Sequence, residues 1–473
     1  MDRPHIVRAI FREAAARTNA PALIEGSRTV SYAELAQAVG RLSAELERRG
    51  VRPLDRVAFL CADSIDYVLL SLAILSLDAA IVPISPGLML DECAALLEHL
   101  DVRHFLADAA VAPISATGDP FRAPDLERLF RFDSFAPRRP EPAGYADLRP
   151  AFIRFSSGTT GASKGVVLTH ETILERTEAA NAGLQITHGD VVGWVLSMSF
   201  HFVVTILLFL RKGATILLCG DPLPKALIHA LRTHPVTVLY ASPIHYRLLS
   251  ETAALGPDDF RALRLAVSTA IQLPEAIARR FFERFGRPLT EAYGIIEVGL
   301  PFIHSPAAGA YDGRLGRPLP AYEIRLAEGE VLIRGPGLVD AYFSPWQMRT
   351  EIAPDGWFCT GDLGEIAPNG ELRLLGRRKA VINFSGMKIF PQEVETVLDR
   401  FPGVSESLVY GEPHPEFGQL PQAKLVLRDG AESLDVRALR EFCRTHLAPH
   451  KIPKAFDVVD ALPKTASGKL RRT

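Results

Sequence analysis

Residues 152–170 read FIRFSSGTTGASKGVVLTH, a loop of glycines and small hydroxyl side chains between two apolar runs. Glycines let the backbone approach an anion closely and turn several N–H groups toward it, and hydroxyl groups add further donors. Lys164 then supplies a positive charge. The stretch predicts a polyphosphate-binding loop between two strands of an α/β fold. A flexible turn without a ligand is the alternative that its composition leaves open.

The loop does not have the spacing of the NTPase P-loop. The residue before Lys164 is Ser163 instead of glycine, and the residue after it is Gly165 instead of serine or threonine. We therefore exclude the kinase and GTPase classes that depend on that motif.

Length, charge and cysteine content limit the class of protein further. A chain of 473 residues exceeds one ordinary core, so at least two domains are expected. With 53 basic and 55 acidic residues there is no excess charge to hold nucleic acid. Five separated cysteines without a C-x-x-C pair indicate a reduced, cytoplasmic protein without a thiolate metal site. The first residues lack an uninterrupted apolar segment, so no export is expected.

One segment has the length of a membrane span. Val191–Leu210 carries no Asp, Glu, Lys or Arg. However, it contains His201, Ser197 and Ser199, and the rest of the chain is rich in charge. We therefore predict a buried strand followed by helix, without membrane insertion.

Predicted strands and helices alternate along the first part of the chain. Ser31 and Glu34 form a capping-box pattern at the start of a helix that ends before Gly50. Strand-like runs follow at 56–60 and 80–83, which predicts a large N-terminal domain with mainly parallel sheets and helices. From Val111 to Pro150 the chain is rich in proline and loses its periodicity, so a surface excursion is expected.

A domain boundary is predicted at a charged turn, Gly376–Lys379, where a strand-rich stretch ends. Beyond it, strand candidates at 406–409 and 423–427 alternate with two amphipathic helices. We predict a large domain over 1–376 and a small α+β domain over 377–473.

The glycine loop and four further segments, in this order, resemble the signature motifs of the acyl-adenylate-forming superfamily. The further segments are YGIIE at 293–297, GWFCTGD at 356–362, GRRK at 376–379 running into SGMKIFPQE at 385–393, and PKTASGK at 463–469. The superfamily contains acyl-CoA and aryl-CoA ligases, peptide-synthetase adenylation domains and luciferases. The resemblance covers nearly the whole chain.

The resemblance implies ATP and Mg²⁺ as cofactors. It assigns Tyr293 to adenine stacking, Asp362 and Arg377 to the ribose, and Glu297 together with Thr160 to the metal. The full set of implied nucleotide-binding residues is Ser157, Gly158, Thr159, Thr160, Gly161, Lys164, Tyr293, Gly294, Asp362 and Arg377.

The resemblance also implies a mobile small domain that rotates about a hinge at Lys379. Lys469 lies between the carboxylate and the α-phosphate during adenylation, and the implied catalytic residues are Lys469, His201 and Glu297. After rotation, Ser385, Gly386 and Lys388 border the channel for a pantetheine thiol.

Ile296 departs from the family pattern. The position usually holds threonine, whose hydroxyl contacts the α-phosphate, and loss of such a hydrogen bond costs about 1.5–3 kcal/mol. We expect slower adenylation or a compensating donor elsewhere. Ser163 in the loop and Asn383 near the hinge are further departures.

The acid is predicted from the residues that align with the acyl pocket, which are Phe200, His201, Thr269, Ile271 and Ile295. His201 stands where amino-acid-activating relatives carry aspartate, so an α-amino acid is disfavoured; a core histidine is the alternative. Thr269 and Ile271 replace smaller residues, which favours an aromatic or short-to-medium acid over a long chain.

The predicted reaction is ATP-dependent formation of an acyl-adenylate with release of pyrophosphate, followed by thioester formation with a pantetheine thiol. Coenzyme A is the expected acceptor, and a phosphopantetheine acyl carrier protein is the alternative. A non-catalytic, nucleotide-binding paralogue is a second alternative that depends on Ile296. Small-molecule carboxylic acids are the expected partners, and the protein is expected to be a monomer or a homodimer.

Overall fold

The computed structural model describes residues 3–88, 90–111, 118–156, 164–220, 224–306, 311–384, 387–414, 417–428, 433–464 and 470–471. The chain forms two compact units. The larger comprises Met1–Glu323 and Ile333–Phe358, and the smaller comprises Ile324–Leu332 and Cys359–Thr473. The structure confirms the predicted mixed α/β class, with a large N-terminal and a smaller C-terminal part. The hinge at Lys379 stays a prediction.

The helices of the described residues start and end as follows: α1 Ile6–Ala15, α2 Tyr32–Arg48, α3 Ile65–Ser76, α4 Leu90–His99, α5 Tyr145–Leu148, α6 His170–Leu184, α7 Met198–His201, α8 Ile206–Arg211, α9 Lys225–Thr233, α10 Pro243–Glu251, α11 Glu275–Phe285, α12 Arg349–Ile352, α13 Pro391–Leu398 and α14 Val436–His446. Short 3-10 turns cover Pro257–Phe260, Arg378–Ala380 and Pro449–Lys451.

The strands are β1 Pro21–Glu25, β2 Arg28–Ser31, β3 Arg56–Leu60, β4 Ala80–Ile84, β5 His104–Asp108, β6 Asp119–Phe121, β7 Phe130–Ser134, β8 Pro150–Ser156, β9 Lys164–Thr169, β10 Val191–Trp194, β11 Thr215–Leu218, β12 Val238–Ala241, β13 Leu265–Ser268, β14 Leu289–Ile295, β15 Gly299–His304, β16 Glu323–Ala327, β17 Glu330–Arg334, β18 Ala341–Phe343, β19 Gln347–Met348, β20 Phe358–Ile366, β21 Leu372–Arg377, β22 Ile382–Phe384, β23 Met387–Ile389, β24 Val404–His414, β25 Gly418–Leu427 and β26 Phe456–Val458.

Two large sheets build the larger unit. The first has the order β15-β14-β13-β12-β10-β11-β1-β2 and is parallel except at its two outer pairs. The second has the order β19-β18-β9-β8-β4-β3-β5-β7-β6, with parallel strands in its middle and antiparallel strands at both ends. The central strands β3 and β4 are buried on both faces, which explains their continuous apolar runs.

Helix α2 starts as its capping pattern predicts. The Ser31 hydroxyl accepts a hydrogen bond from the backbone N–H of Glu34, and the Glu34 carboxylate accepts one from the backbone N–H of Ser31 at 2.8 Å. The side chains that recur at helical spacing, from Leu35 to Leu46, are buried. Local sequence therefore determines both the start and the buried face of this helix.

The uncharged segment at 191–210 is a buried strand followed by short helices, as predicted. It contains β10, α7 and most of α8, and the apolar side chains of α8 are buried. Among the described residues, no helix combines the length and the apolar character that a membrane crossing requires.

The prediction of a surface excursion in the proline-rich stretch 111–150 is wrong. Instead of a surface excursion, β7 pairs antiparallel with β5, and β6 pairs with β7 to form the edge of the second sheet. Phe121, Phe130 and Tyr145 are buried there. Proline can occupy β6 because an edge strand needs fewer ladder donors.

The smaller unit contains the sheet β16-β17-β20-β21 and a second sheet in which β23, β22, β25 and β24 are neighbours and β26 pairs with β25. The predicted strands at 406–409 and 423–427 lie within β24 and β25 and confirm the prediction. Helices α13 and α14 bury Val394, Leu398, Leu439 and Cys443 in the core of this unit.

Two buried histidines stack in the larger unit at the start of α1 and α6. The ring centroids of His5 and His170 are 3.9 Å apart, and each Nε2 lies 3.8 Å from Oδ1 of Asp78. His5 Nδ1 accepts a hydrogen bond from the backbone N–H of Val7 at 3.2 Å and so caps α1. Within the described ranges, neither ring nitrogen of His170 has a hydrogen-bond partner.

Because His170 is buried, we predict that acid lowers the free energy of unfolding. Burial lowers the pKa of His170 to about 3, whereas an unfolded histidine titrates near 6.5. Below pH 6.5 the unfolded chain therefore binds a proton that the folded chain does not, and the free energy of unfolding falls by about 2 kcal/mol between pH 7 and pH 5. Urea unfolding at the two pH values is the measurement, with His170→Phe expected to reduce the difference by that amount.

The exposed His229 gives the matched control for this experiment. His229→Gln is expected to keep the wild-type difference, because this side chain is exposed on α9 and is not part of the His5–His170 stack. An equal pH dependence in His170→Phe and in the wild type would show that His170 is not the titrating group.

Candidate functional site

The carboxyl ends of four parallel strands bring the predicted acid- and nucleotide-binding residues of the larger unit together. Strands β10, β12, β13 and β14 are neighbours with parallel register. His201 follows β10, the predicted pocket residues Thr269 and Ile271 follow β13, and 293–297 lies at the end of β14. Ligands of open parallel sheets bind outside this edge. The topology therefore places these separate segments along one side of the sheet.

The glycine loop connects two paired strands. Strands β8 and β9 are antiparallel, with Ser156 opposite Lys164. The Lys164 ammonium lies 4.5 Å from the centroid of the Tyr342 ring. Ser157, Gly158, Thr159, Thr160 and Gly161 lie outside the described residues, so their assignment to phosphate stays a prediction.

The segment 293–297 has one position that only glycine can occupy. A Cβ atom at Gly294 would overlap the carbonyl oxygen of Gly299 in the neighbouring strand. The Tyr293 ring is half-buried and meets the Phe302 ring edge-on, with centroids 5.9 Å apart. Close backbone approach therefore fixes the turn that precedes Glu297.

A buried arginine of α6 holds the same segment by its backbone. Arg176 is fully buried and donates from Nη1 to the Ile296 carbonyl at 2.6 Å, from Nη2 to the Glu297 carbonyl at 2.9 Å, and from Nε to the Gly337 carbonyl. Burial lowers the pKa of Arg176 to about 10, so the guanidinium is still charged at neutral pH. Three carbonyl acceptors thus satisfy this cation and fix the backbone that presents the Glu297 carboxylate.

The short helix α7 carries two of the predicted acyl-pocket residues, Phe200 and His201. Phe200 and His201 are half-buried, and the His201 ring meets the Trp194 ring edge-on with centroids 6.3 Å apart. The backbone N–H of Met198 donates to the Asp63 carboxylate at 2.8 Å. Arg154 of β8 donates from Nη1 to the Phe200 carbonyl at 2.6 Å. Both large sheets therefore contribute contacts that hold α7.

The segment that carries the predicted pocket residues Thr269 and Ile271 is strained. Ala270 has a φ of 76°, in the left-handed region that disfavours alanine. The Thr269 hydroxyl donates to the Ala292 carbonyl at 3.0 Å and ties the segment to β14. Thr269 is buried, whereas Ile271 is 43% exposed. The roles of Thr269, Ile271 and the half-buried Ile295 in binding the acid stay predictions.

A buried carboxylate fixes the other end of this segment. Glu291 accepts hydrogen bonds from the backbone N–H of Leu273 at 2.9 Å and from the Tyr311 hydroxyl at 2.5 Å. Burial raises the pKa of Glu291 to about 7, although these two donors favour the ionised form. Glu291 therefore joins the pocket segment to the strand that carries Tyr293.

In the smaller unit, the two predicted ribose-binding residues lie side by side. Asp362 and Arg377 are opposite each other in the antiparallel pair β20–β21, and Arg377 Nε lies 2.8 Å from Asp362 Oδ1. Arg377 also donates to the Thr360 carbonyl at 2.9 Å. The Asp362 carboxylate is buried, and this ion pair orients it.

The predicted hinge and thiol-channel residues are at the surface of the smaller unit or outside the described residues. Lys379 and Lys388 are exposed, in a 3-10 turn and in β23. Ser385, Gly386 and Lys469 lie outside the described residues. On either side of Lys469, Lys464 and Leu470 form an antiparallel bridge. The assigned roles stay predictions.

Three site residues were missed by sequence reasoning: Arg154, Arg176 and Glu291. Arg154 and Glu291 each interrupt a buried strand with a charge, and that interruption was the available signal. Arg176 had no local signal, because its carbonyl partners lie 120 or more positions away in the sequence.

Two family models together match most of the chain. The model of the AMP-binding enzymes matches residues 10–343, and that of the C-terminal domain of AMP-binding enzymes matches residues 393–469. A (methyl-dioxo-octahydroindenyl)propanoyl:CoA ligase of Mycobacterium tuberculosis is 32% identical over 95% of this chain and 94% of its own length. A feruloyl-CoA synthase of Amycolatopsis sp. is 29% identical over 97% of this chain and 96% of its own length.

A solved structure shows the same fold over nearly the whole chain. The o-succinylbenzoate CoA synthetase of Bacillus subtilis, in complex with its acyl-adenylate intermediate, matches with a TM-score of 0.84 and 26% identity. The match covers 99% of this chain and 97% of that chain.

Proposed function

The chain belongs to the family of AMP-binding enzymes, and on that premise we propose which acid it activates and which residues act on it. It is an AMP-forming acid–thiol ligase. ATP and a carboxylic acid give an acyl-adenylate and pyrophosphate, and the acyl group then passes to the thiol of coenzyme A. This agrees with the reaction predicted from the sequence and disfavours the non-catalytic paralogue.

The proposed acid is aromatic or otherwise ring-bearing, or of short to medium chain length. The observation that carries this proposal is the pocket wall at α7, where the half-buried Phe200 and the Trp194–His201 ring contact offer apolar, aromatic surface. Flat faces and ring edges pack against aromatic substrates. Two of the similar proteins are named for feruloyl and o-succinylbenzoate substrates, both aromatic, which supports the same class.

Mg²⁺ is proposed as the metal that accompanies ATP, with Glu297 and Thr160 as ligands. Glu297 fits this role because it offers a half-buried carboxylate whose backbone Arg176 fixes, and hard cations prefer oxygen ligands. Bound there, the ion would neutralise phosphate charge.

Residues of the protein itself bind the other parts of ATP and act on the reacting groups. Lys164 and the glycine loop bind the β- and γ-phosphates, Tyr293 stacks on adenine, and Asp362 with Arg377 binds the ribose hydroxyls. Lys469 offsets the repulsion between the two reacting anions. An acyl carrier protein as acceptor, the cytoplasmic location and the monomeric or homodimeric state stay predictions.

Acid-dependent ATP–pyrophosphate exchange tests the proposed acid class. We expect hydroxybenzoates, cinnamates or medium-chain acids to support exchange at least about tenfold faster than palmitate or any α-amino acid. The products with coenzyme A are then identified as thioesters by mass spectrometry. Equal exchange with palmitate would contradict the shortened pocket, and no exchange with any acid would contradict adenylation itself.

A further inference from the structure

Arg154 is a cation in the wall of the proposed acyl pocket. It lies on β8, two residues before the strand ends at Ser156 and the glycine loop begins. Its Nη1 donates to the Phe200 carbonyl at 2.6 Å, and its Cζ lies 5.1 Å from the centroid of the Phe200 ring. Within the described residues, the buried Nε has no hydrogen-bond partner. The guanidinium therefore retains donor capacity beyond its contact with one neutral carbonyl.

A second polar side chain is buried near the end of α7. Tyr67 of α3 is 1% exposed, and its hydroxyl has no hydrogen-bond partner in the part of the chain that the structure describes. Its ring centroid lies 5.6 Å from that of Phe202. The Glu297 carboxylate is near enough to Arg154 to raise the pKa of the guanidinium against the effect of burial. Arg154 therefore contacts Phe200 in the pocket wall and interacts electrostatically with Glu297, the proposed metal ligand.

Arg154 is half-buried, and burial of its Nε atom is costly without an acceptor. A buried charge is ordinarily paired or fully hydrogen-bonded, and Arg154 has a single acceptor among the described residues. Burial lowers the pKa of Arg154 to about 10, so it stays charged at neutral pH. Arg176 offers a contrast, because three carbonyl groups satisfy it. A ligand oxyanion would complete the environment of Arg154.

We propose that Arg154 is a further catalytic residue, whose guanidinium binds the oxyanions that meet when the acid's carboxylate approaches the α-phosphate. The inference rests on the proposed function. In that step a carboxylate oxygen forms a bond to the α-phosphorus, the bond from phosphorus to the bridging oxygen breaks, and its electron pair leaves with pyrophosphate. Two anions approach each other, so a fixed cation beside them lowers the barrier.

The absence of a hydroxyl at Ile296 explains why the site would need a donor from Arg154. Its side chain has no hydroxyl to donate to the α-phosphate, whereas its carbonyl is held by Arg176. The guanidinium of Arg154 supplies donors and charge at the same end of the pocket as Glu297. Arg154 is therefore the compensating donor that the Ile296 departure calls for.

Pyrophosphate exchange in a double-mutant cycle tests the inference. We expect Arg154→Gln to lower the exchange rate about 10- to 100-fold, the usual range for one charge-assisted hydrogen bond, and Arg154→Lys to lower it less. Ile296→Thr is expected to accelerate the Arg154→Gln enzyme by a larger factor than the wild type, because the new hydroxyl replaces the lost donor. Arg154→Lys with and without Ile296→Thr gives the same comparison if Arg154→Gln does not fold.

The buried Arg56 provides the matched control. It lies at the amino end of β3, away from the strand ends that carry the site, and pairs with Asp101 and Glu141. Arg56→Gln should lower the thermal midpoint while the exchange rate of the folded fraction changes little. A loss of less than about twofold in Arg154→Gln, or an equal effect of Ile296→Thr in both backgrounds, would overturn the inference. The wild-type exchange rate tests the proposed function separately.

Discussion

Replacement of Lys469 by alanine is expected to lower acid-dependent pyrophosphate exchange by about 10²- to 10³-fold. A mobile point cation between the carboxylate and the α-phosphate acts mainly in the transition state, where charge develops on the oxygens around phosphorus. The thiol step, measured from a supplied acyl-adenylate, does not need that cation. It is therefore expected to keep a rate close to that of the wild type.

Lys464 gives the control for charge in the same tail. Its ammonium lies 2.7 Å from the Glu406 carboxylate, so it is held by an ion pair of the smaller unit. Lys464→Ala removes one positive charge five residues earlier and should leave exchange nearly unchanged. Equal loss of both half-reactions in Lys469→Ala would contradict the division of labour between adenylation and thiol transfer.

Replacement of Arg176 by methionine is expected to cost about 3 kcal/mol of unfolding free energy in the larger unit. The substitution keeps much of the side-chain volume but leaves the carbonyl oxygens of Gly337 and Ile296 without a donor. The Glu297 carbonyl loses one of its two donors and keeps the backbone N–H of Val339 at 2.7 Å. Each buried unpaired acceptor costs about 1–3 kcal/mol. A thermal midpoint lowered by several degrees is the measurement.

The same variant is expected to affect adenylation beyond its effect on stability. Loss of the guanidinium removes two of the hydrogen bonds that hold the backbone at Ile296 and Glu297, so exchange by the folded protein should fall about tenfold. Arg176→Lys should be intermediate, because one ammonium cannot reach all three carbonyls. Glu178→Met, an exposed position on the same helix, is the control and should change stability by less than about 0.5 kcal/mol. Wild-type stability in Arg176→Met would contradict this account.

Lys469 is expected to contact the reacting groups, whereas Arg176 holds the backbone of the site. Lys469 was identified from the sequence, by the resemblance of the segment 463–469 to a family motif. Arg176 was identified only from the structure, by its hydrogen bonds to Ile296 and Glu297. The difference follows from what a sequence pattern contains. A motif names the groups that contact substrate, whereas the residues that hold those groups are distributed over other elements.

The sequence alone determined the class of reaction and most local structure. The capping pair at Ser31 and Glu34 placed α2, because both hydrogen bonds are made within four residues. The five motifs identified the family, because each supplies a group that adenylation chemistry needs. In the proline-rich stretch 111–150, in contrast, local composition predicted no strands; β7 forms because it pairs with β5, and β6 forms because it pairs with β7.

Only the tertiary structure decided which distant residues hold the candidate site. The loop at 157–163 was predicted from its own residues, but Arg154 reaches Phe200 across 46 positions, and Arg176 reaches Ile296 across 120. Such contacts depend on the order of strands in the two sheets. Periodicities of 2 and 3.6 residues report which face of an element is buried, and they carry no information about which distant element lies against it.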